Sequence, residues 1–146
     1  ELLRDLKPYR IRLLGTDLSN AAIARASRGE YNQFEIKRGL PEDTLKKYFT
    51  FNGSDWKIND DIRAMVVFKK MNLMAPFDGL GKFDIVFCRN VGVYFNRADR
   101  KKLFGNISKV MEKDGYLIIG ATESLINVDP RFEPRRYLRS VFYQQK

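Results

Sequence analysis

The sequence predicts an α/β domain built on a largely parallel sheet. Strand-like apolar runs alternate with helical patterns along most of the chain. The most hydrophobic short run, "FDIVFC" at 83–88, stands just before the clearest helix, 96–115. One stretch, 49–71, breaks the alternation and reads as a small antiparallel β insertion. At 146 residues the chain is long enough for one compact domain with a real core, so residues 1–146 are taken as one domain carrying that insertion.

The elements follow in order. "ELLRDLK" reads as the last turns of a helix, which Pro8 blocks. "RIRLLGTDL" is a strand ending near Asp17. "SNAAIARASRGEY" is a helix, with Ser19 as N-cap and Gly29 as terminator. "PEDTLKKYF" is a short helix with Pro41 near its first turn. "FTFNGSDWKI" alternates apolar and polar residues around Asn52-Gly53, a hairpin signal, and "AMVVFKKMNL" is a further strand. Phe83 to Cys88 reads as a buried strand. In the helix at 96–115, Leu103, Phe104, Ile107, Val110 and Met111 form one apolar face; Asn96 caps it, with Asp99 three residues on, and Gly115 ends it. "YLIIGA" is a buried strand and "RSVFYQ" a final one.

Composition narrows the chemistry. Hydrophobic residues make up 44% and charged residues 31%, the balance of a soluble globular protein. There is no signal-peptide pattern and no apolar run long enough to span a bilayer. A single cysteine, Cys88, excludes an internal disulfide framework and fits a reducing, cytoplasmic setting. Histidine is absent, so Cys/His zinc sites and His-dependent nucleophilic catalysis are unsupported, and no metal is expected. The net charge of +9 favours an acidic partner, although a solvated basic face accounts for it equally well. No nucleic-acid motif accompanies that charge.

In an open α/β sheet, ligands bind beyond the carboxyl ends of the strands. Asp17, Asn72 and the Arg89–Asn90 pair all fall at such ends. An acidic residue there can accept hydrogen bonds from two ribose hydroxyls, and an amide can pair with an adenine edge. Each residue has a plainer reading. Asp17 and Asn72 could be turn residues, Arg89 could pair with a structural carboxylate, and Tyr94 could be a core aromatic with a wet tip. Cys88 reads as a small buried hydrophobe. "GLGK" at 79–82 precedes a strand rather than a helix and lacks phosphate-loop spacing.

"LLGTDLSNAAIARASRGEY", "PEDTLKKYF", "MNLM", "FDIVFCRNVGVYFN" and "DGYLIIGATESL" occur in an order that resembles the CheR-type chemotaxis receptor methyltransferases across nearly the whole chain. The most specific stretch is "FCRNVGVYF": a strand end, an Arg-Asn pair, an apolar step and Tyr-Phe. The resemblance implies a Rossmann-like S-adenosylmethionine-dependent methyltransferase fold, incomplete at the N-terminus. The family's first strand, its glycine-containing loop and its N-terminal helical domain would lie outside this chain. The strand ending at Asp17 and the strand ending at Arg89 would then lack their shared neighbour. This chain alone would be impaired, and self-association or strand exchange could supply a substitute.

The resemblance further implies methyl transfer from S-adenosylmethionine to chemoreceptor glutamates, giving glutamyl methyl esters and S-adenosylhomocysteine. Asp17 would bind the ribose. Asn72 and Leu73 would line the adenine pocket, and Arg89 and Asn90 would complete the cofactor site. Tyr94, with Arg89, would take the catalytic positions near the transferred methyl. The implied partner is an acidic cytoplasmic chemoreceptor segment, with neither nucleic acid nor membrane insertion involved. Gly92 and Val93 are smaller than the apolar residues usual in the family, and the insertion offers only Gly53 where receptor-tether binders carry a glycine-containing insertion. A non-catalytic interaction module that retains the fold is the alternative.

Overall fold

The computed structural model describes residues 11–138 and 140–146. The helix expected in "ELLRDLK" lies outside them. The chain forms two compact units, residues 1–72 and 73–146.

In the first unit, β1 (Leu13–Asp17) leads into α1 (Asn20–Arg28). The Ser19 side chain accepts the Ala22 N–H, and Gly29 closes the helix in the left-handed conformation at φ 67°. β2 (Glu30–Tyr31), α2 (Gln33–Lys37), α3 (Glu42–Tyr48), β3 (Phe49–Phe51), β4 (Trp56–Ile58), α4 (Asp60–Arg63) and β5 (Val66–Lys70) follow. α2, which the sequence analysis did not anticipate, has a full capping box between Asn32 and Glu35. Glu35 also receives the Arg25 guanidinium. Its carboxyl is held below the usual range, chiefly by the Asn32 backbone N–H and also by Arg25.

The pairing within 49–71 is divided. β3 and β4 form the expected hairpin, joined by the four residues Asn52–Asp55, and β2 adds to it antiparallel, giving the order β2-β4-β3. The Asn52 side-chain oxygen accepts the Ser54 and Asp55 N–H groups, and Gly53 takes φ 99°. β5 does not join this hairpin. It pairs parallel with β1, from Leu13↔Val66 to Asp17↔Lys70. Gly15 permits this pairing, since a Cβ there would lie 2.7 Å from the Phe68 ring opposite it.

The second unit holds β6 (Phe83–Cys88), α5 (Arg97–Lys109), β7 (Met111–Ile119), β8 (Phe132–Tyr137) and β9 (Ser140–Gln145). Their order is β6-β7-β9-β8. Only β6–β7 is parallel; β9 pairs antiparallel with both β7 and β8. The expectation of a largely parallel sheet therefore holds at β1–β5 and β6–β7, and the carboxyl-terminal strands depart from it. β8 was not anticipated: its sequence "FEPRRY" contains Pro134, which an edge strand tolerates because no ladder N–H is needed there.

Two boundaries moved. α5 ends at Lys109, six residues before Gly115, because the chain is already being drawn into the sheet. The Val110 carbonyl accepts the Phe83 N–H at 2.8 Å, and Lys82 Nζ donates to the Lys109 and Met111 carbonyls. Gly115 instead sits where the β6–β7 register jumps from Phe83↔Met111 to Ile85↔Tyr116. A Cβ at Gly115 would stand 3.0–3.2 Å from the Glu112, Asp84 and Phe83 carbonyl oxygens, so bare backbone is required.

The core of this unit contains Leu103, Phe104, Ile107, Met111, Leu117, Ile119, Leu125, Phe132 and Tyr143. β6 is less buried than expected. Cys88 is buried, but Ile85 and Phe87, on the same face, are 53% and 70% exposed. The open face continues onto the neighbouring β7, where Tyr116, paired with Ile85, is 43% exposed. Among the described residues, no helix is long and apolar enough to cross a membrane.

Candidate functional site

Asp17 is the last residue of β1, and its backbone carbonyl accepts the Met71 N–H at 2.8 Å. That bond brings Asn72, just past β5, to the same sheet edge, so the structure places these two predicted residues together. Both are exposed. One Asp17 carboxylate oxygen, Oδ1, accepts the Ser19 N–H at 2.7 Å. This short turn fixes the carboxylate in front of the α1 cap. The remaining lone pairs of an exposed carboxylate suit a diol donor.

The other predicted residues belong to the second unit. Leu73 is half-buried, and its carbonyl, with that of Ala75, receives the side-chain amide of Asn106 on α5. Arg89 and Asn90 leave β6 exposed. Asn90 adopts φ 57°, the left-handed region that asparagine reaches more readily than most residues. A single 3-10 turn, Gly92–Tyr94, follows and carries Tyr94 outward, 84% exposed. The core-aromatic alternative for Tyr94 is thereby removed.

Glu123 organises this loop, and the sequence analysis did not single it out. Its Oε2 accepts two backbone N–H groups, from Asn90 and Gly120, each at 2.7 Å. These donors lie just past β6 and just past β7, so one carboxylate ties the two strand ends together. Oε1 is buried beside Gly92, where a Cβ would stand 2.9 Å away, and it has no hydrogen-bond partner. That packing explains why a glycine occupies the position after Val91. The available signal was "GATES", an acid three residues beyond a strand-ending glycine, the spacing of a side chain that turns back onto its own turn.

The loop bearing Glu123 is held from several directions. Arg100 donates to the Ser124 carbonyl at 2.8 Å and Arg97 to the Asn127 carbonyl at 3.0 Å. The buried Leu125 N–H reaches the Tyr143 hydroxyl at 3.3 Å. Fully buried Asp129 accepts from the Arg131 backbone N–H, Nε and Nη2.

Cys88 lies under this arrangement. Burial, reinforced by the Glu123 carboxylate, pushes its thiol up to about 12. It is therefore a neutral packing group at physiological pH and not a nucleophile. "GLGK" is the loop entering β6, and its lysine is spent on the α5 carboxyl end.

Comparison with known proteins identifies the fold and the family. The fold is shared with LepI in its complex with SAM: TM-score 0.52 at 9% identity, over 95% of this chain and 38% of that one. A family model described as "CheR methyltransferase, SAM binding domain" matches residues 1–139, and the chain belongs to that family. It is 36% identical over 135 residues to chemotaxis protein methyltransferase Cher2 of Pseudomonas putida, covering 92% of this chain and 49% of that protein. It is 34% identical over 137 residues to chemotaxis protein methyltransferase 1 of Pseudomonas aeruginosa, covering 93% and 50%. The chain thus spans about half the length of the curated relatives it matches.

Proposed function

We propose that this chain supplies the S-adenosylmethionine-binding part of a cytoplasmic enzyme that methylates glutamate carboxylates on chemoreceptors. The observation that carries the reading is the family match across residues 1–139. The residues fit the cofactor chemically. Asp17 presents an exposed, turn-fixed carboxylate suited to ribose hydroxyls, and Asn72 lies at the same sheet edge. Arg89 and Asn90 present a guanidinium and an amide at the end of β6, and half-buried Leu73 suits the flank of an adenine ring.

When bound, S-adenosylmethionine supplies a sulfonium methyl that a carboxylate oxygen can take in line, leaving S-adenosylhomocysteine. A glutamate side chain, with a reference pKa of about 4.3, is already ionised near neutral pH. The chain's task is therefore to bind, orient and exclude water, and a sequence without histidine is adequate to it. The +9 charge favours an acidic receptor segment as the partner.

Tyr94 provides the test. Its exposed ring and hydroxyl are assigned to the methyl and substrate side rather than to adenine or ribose. In the complete polypeptide, Tyr94→Phe should lower kcat by roughly tenfold or more while leaving cofactor affinity nearly unchanged. A large loss of affinity with normal turnover at saturation would contradict the assignment.

A further inference from the structure

We infer that Glu123 is a positioning residue for the cofactor site: its carboxylate is a latch that holds Asn90 in the left-handed conformation and fixes where the Arg89–Asn90 pair points. The inference rests on the reading above for what the site binds, but its geometric basis is independent. Three observations converge on it. One oxygen, Oε2, takes both the Asn90 and Gly120 N–H groups at 2.7 Å and so ties the end of β6 to the end of β7. Asn90 is one of three non-glycine residues with positive φ among the described residues, and the Glu123 carboxylate takes its N–H in that conformation. Gly120 leaves room for the pair: a Cβ there would lie 2.6 Å from Glu123 Oε2 and 3.0 Å from the Asn90 nitrogen, and it would overlap the Asn90 amide oxygen.

The latch is itself braced. Arg100 fixes the carbonyl of the next residue, Ser124, and the Tyr143 hydroxyl fixes the N–H of Leu125. Glu123 thus transmits the rigidity of α5 and β9 to a loop whose side chains face solvent. The buried, unpaired Oε1 is unfavourable for stability, as expected of a group kept for placement rather than for folding. Glu123 touches no reacting atom in this scheme and acts only through Asn90 and its neighbours.

The test compares Glu123→Ala with Glu123→Gln in the complete polypeptide. Amide hydrogen exchange is read at Asn90 and Gly120, together with S-adenosylmethionine affinity and the split between KM and kcat. Glutamine retains an oxygen that can accept both N–H groups, so it should keep affinity within about threefold of wild type. Alanine should speed exchange at Asn90 and Gly120 selectively and weaken cofactor binding by roughly tenfold or more, the loss falling on KM more than on kcat. Unchanged exchange and affinity in the alanine variant would overturn the latch. Uniformly faster exchange throughout 73–146 would overturn it in favour of a general folding role. If the alanine variant does not fold, glutamine decides: a tenfold loss of affinity with protection intact at both amides would show that charge, and not the latch, matters. Failure of the wild-type protein to bind S-adenosylmethionine would instead overturn the functional reading, and the exchange measurements would still judge the latch.

Discussion

Asp17→Ala should weaken S-adenosylmethionine binding by the complete polypeptide by roughly tenfold to a hundredfold, since each hydrogen bond to a charged group contributes about 1.5–3 kcal/mol. On the proposed reading, the substitution removes the acceptor for the ribose hydroxyls. It also removes the Oδ1 contact to the Ser19 N–H, which sets the approach to α1. Asp17→Asn separates the two effects. Asparagine keeps an oxygen for Ser19 and can still accept one hydrogen bond, but it loses the charge. Its affinity should fall between wild type and Asp17→Ala, with α1 intact by circular dichroism. Titration calorimetry that found Asp17→Ala binding as tightly as wild type would remove Asp17 from the cofactor site.

Gly120→Ala should damage both stability and binding. The added methyl would overlap the Asn90 amide oxygen and stand 2.6 Å from Glu123 Oε2, so both side chains must shift, and at 3.0 Å it would press on the Asn90 nitrogen. Moving the Glu123 carboxylate away would disturb its bonds to the Asn90 and Gly120 N–H groups. Overpacking of this kind costs about 1–3 kcal/mol, and here the strain falls on the bonds that hold Asn90. We expect a lower unfolding midpoint in urea and cofactor affinity reduced by roughly tenfold or more. Gly39→Ala is the control, because a Cβ at Gly39 meets nothing within 4 Å. Equal behaviour of the two variants would show that the crowding at Gly120 is relieved without consequence.

How much of this was legible in the sequence depended on whether the signal was local. Ser19, Gly29, Asn96 with Asp99, and Asn52-Gly53 act within a few residues, and each formed the cap or turn expected of it. Asp17 and Arg89 were found at strand ends because apolar runs mark strands wherever they later pair. The failures were non-local. The end of α5 was misplaced because its apolar face continues through Val110 and Met111, residues that are buried after the helix has stopped. Only the bond from the Phe83 N–H, across the sheet, reveals that stop. β5 looked like part of the insertion because sequence shows which runs are strands but not which strands they pair with. Glu123 escaped for the same reason, since half of its role is to Asn90, 33 residues away in sequence. The recognition of the family went further than the element reading, because "FCRNVGVYF" is specific as a string even where its geometry cannot be read.

The central claim is that the methyl group ends on a glutamate oxygen. The direct measurement is to incubate the complete polypeptide with methyl-labelled S-adenosylmethionine and a chemoreceptor cytoplasmic fragment, then treat the labelled receptor with mild alkali. A glutamyl methyl ester hydrolyses under those conditions, so the account predicts that the label leaves as volatile methanol and that replacing the receptor's modified glutamates with alanine abolishes incorporation. Label that stays on the receptor through alkali, as a methyl on nitrogen would, or a receptor that acquires none, would contradict it.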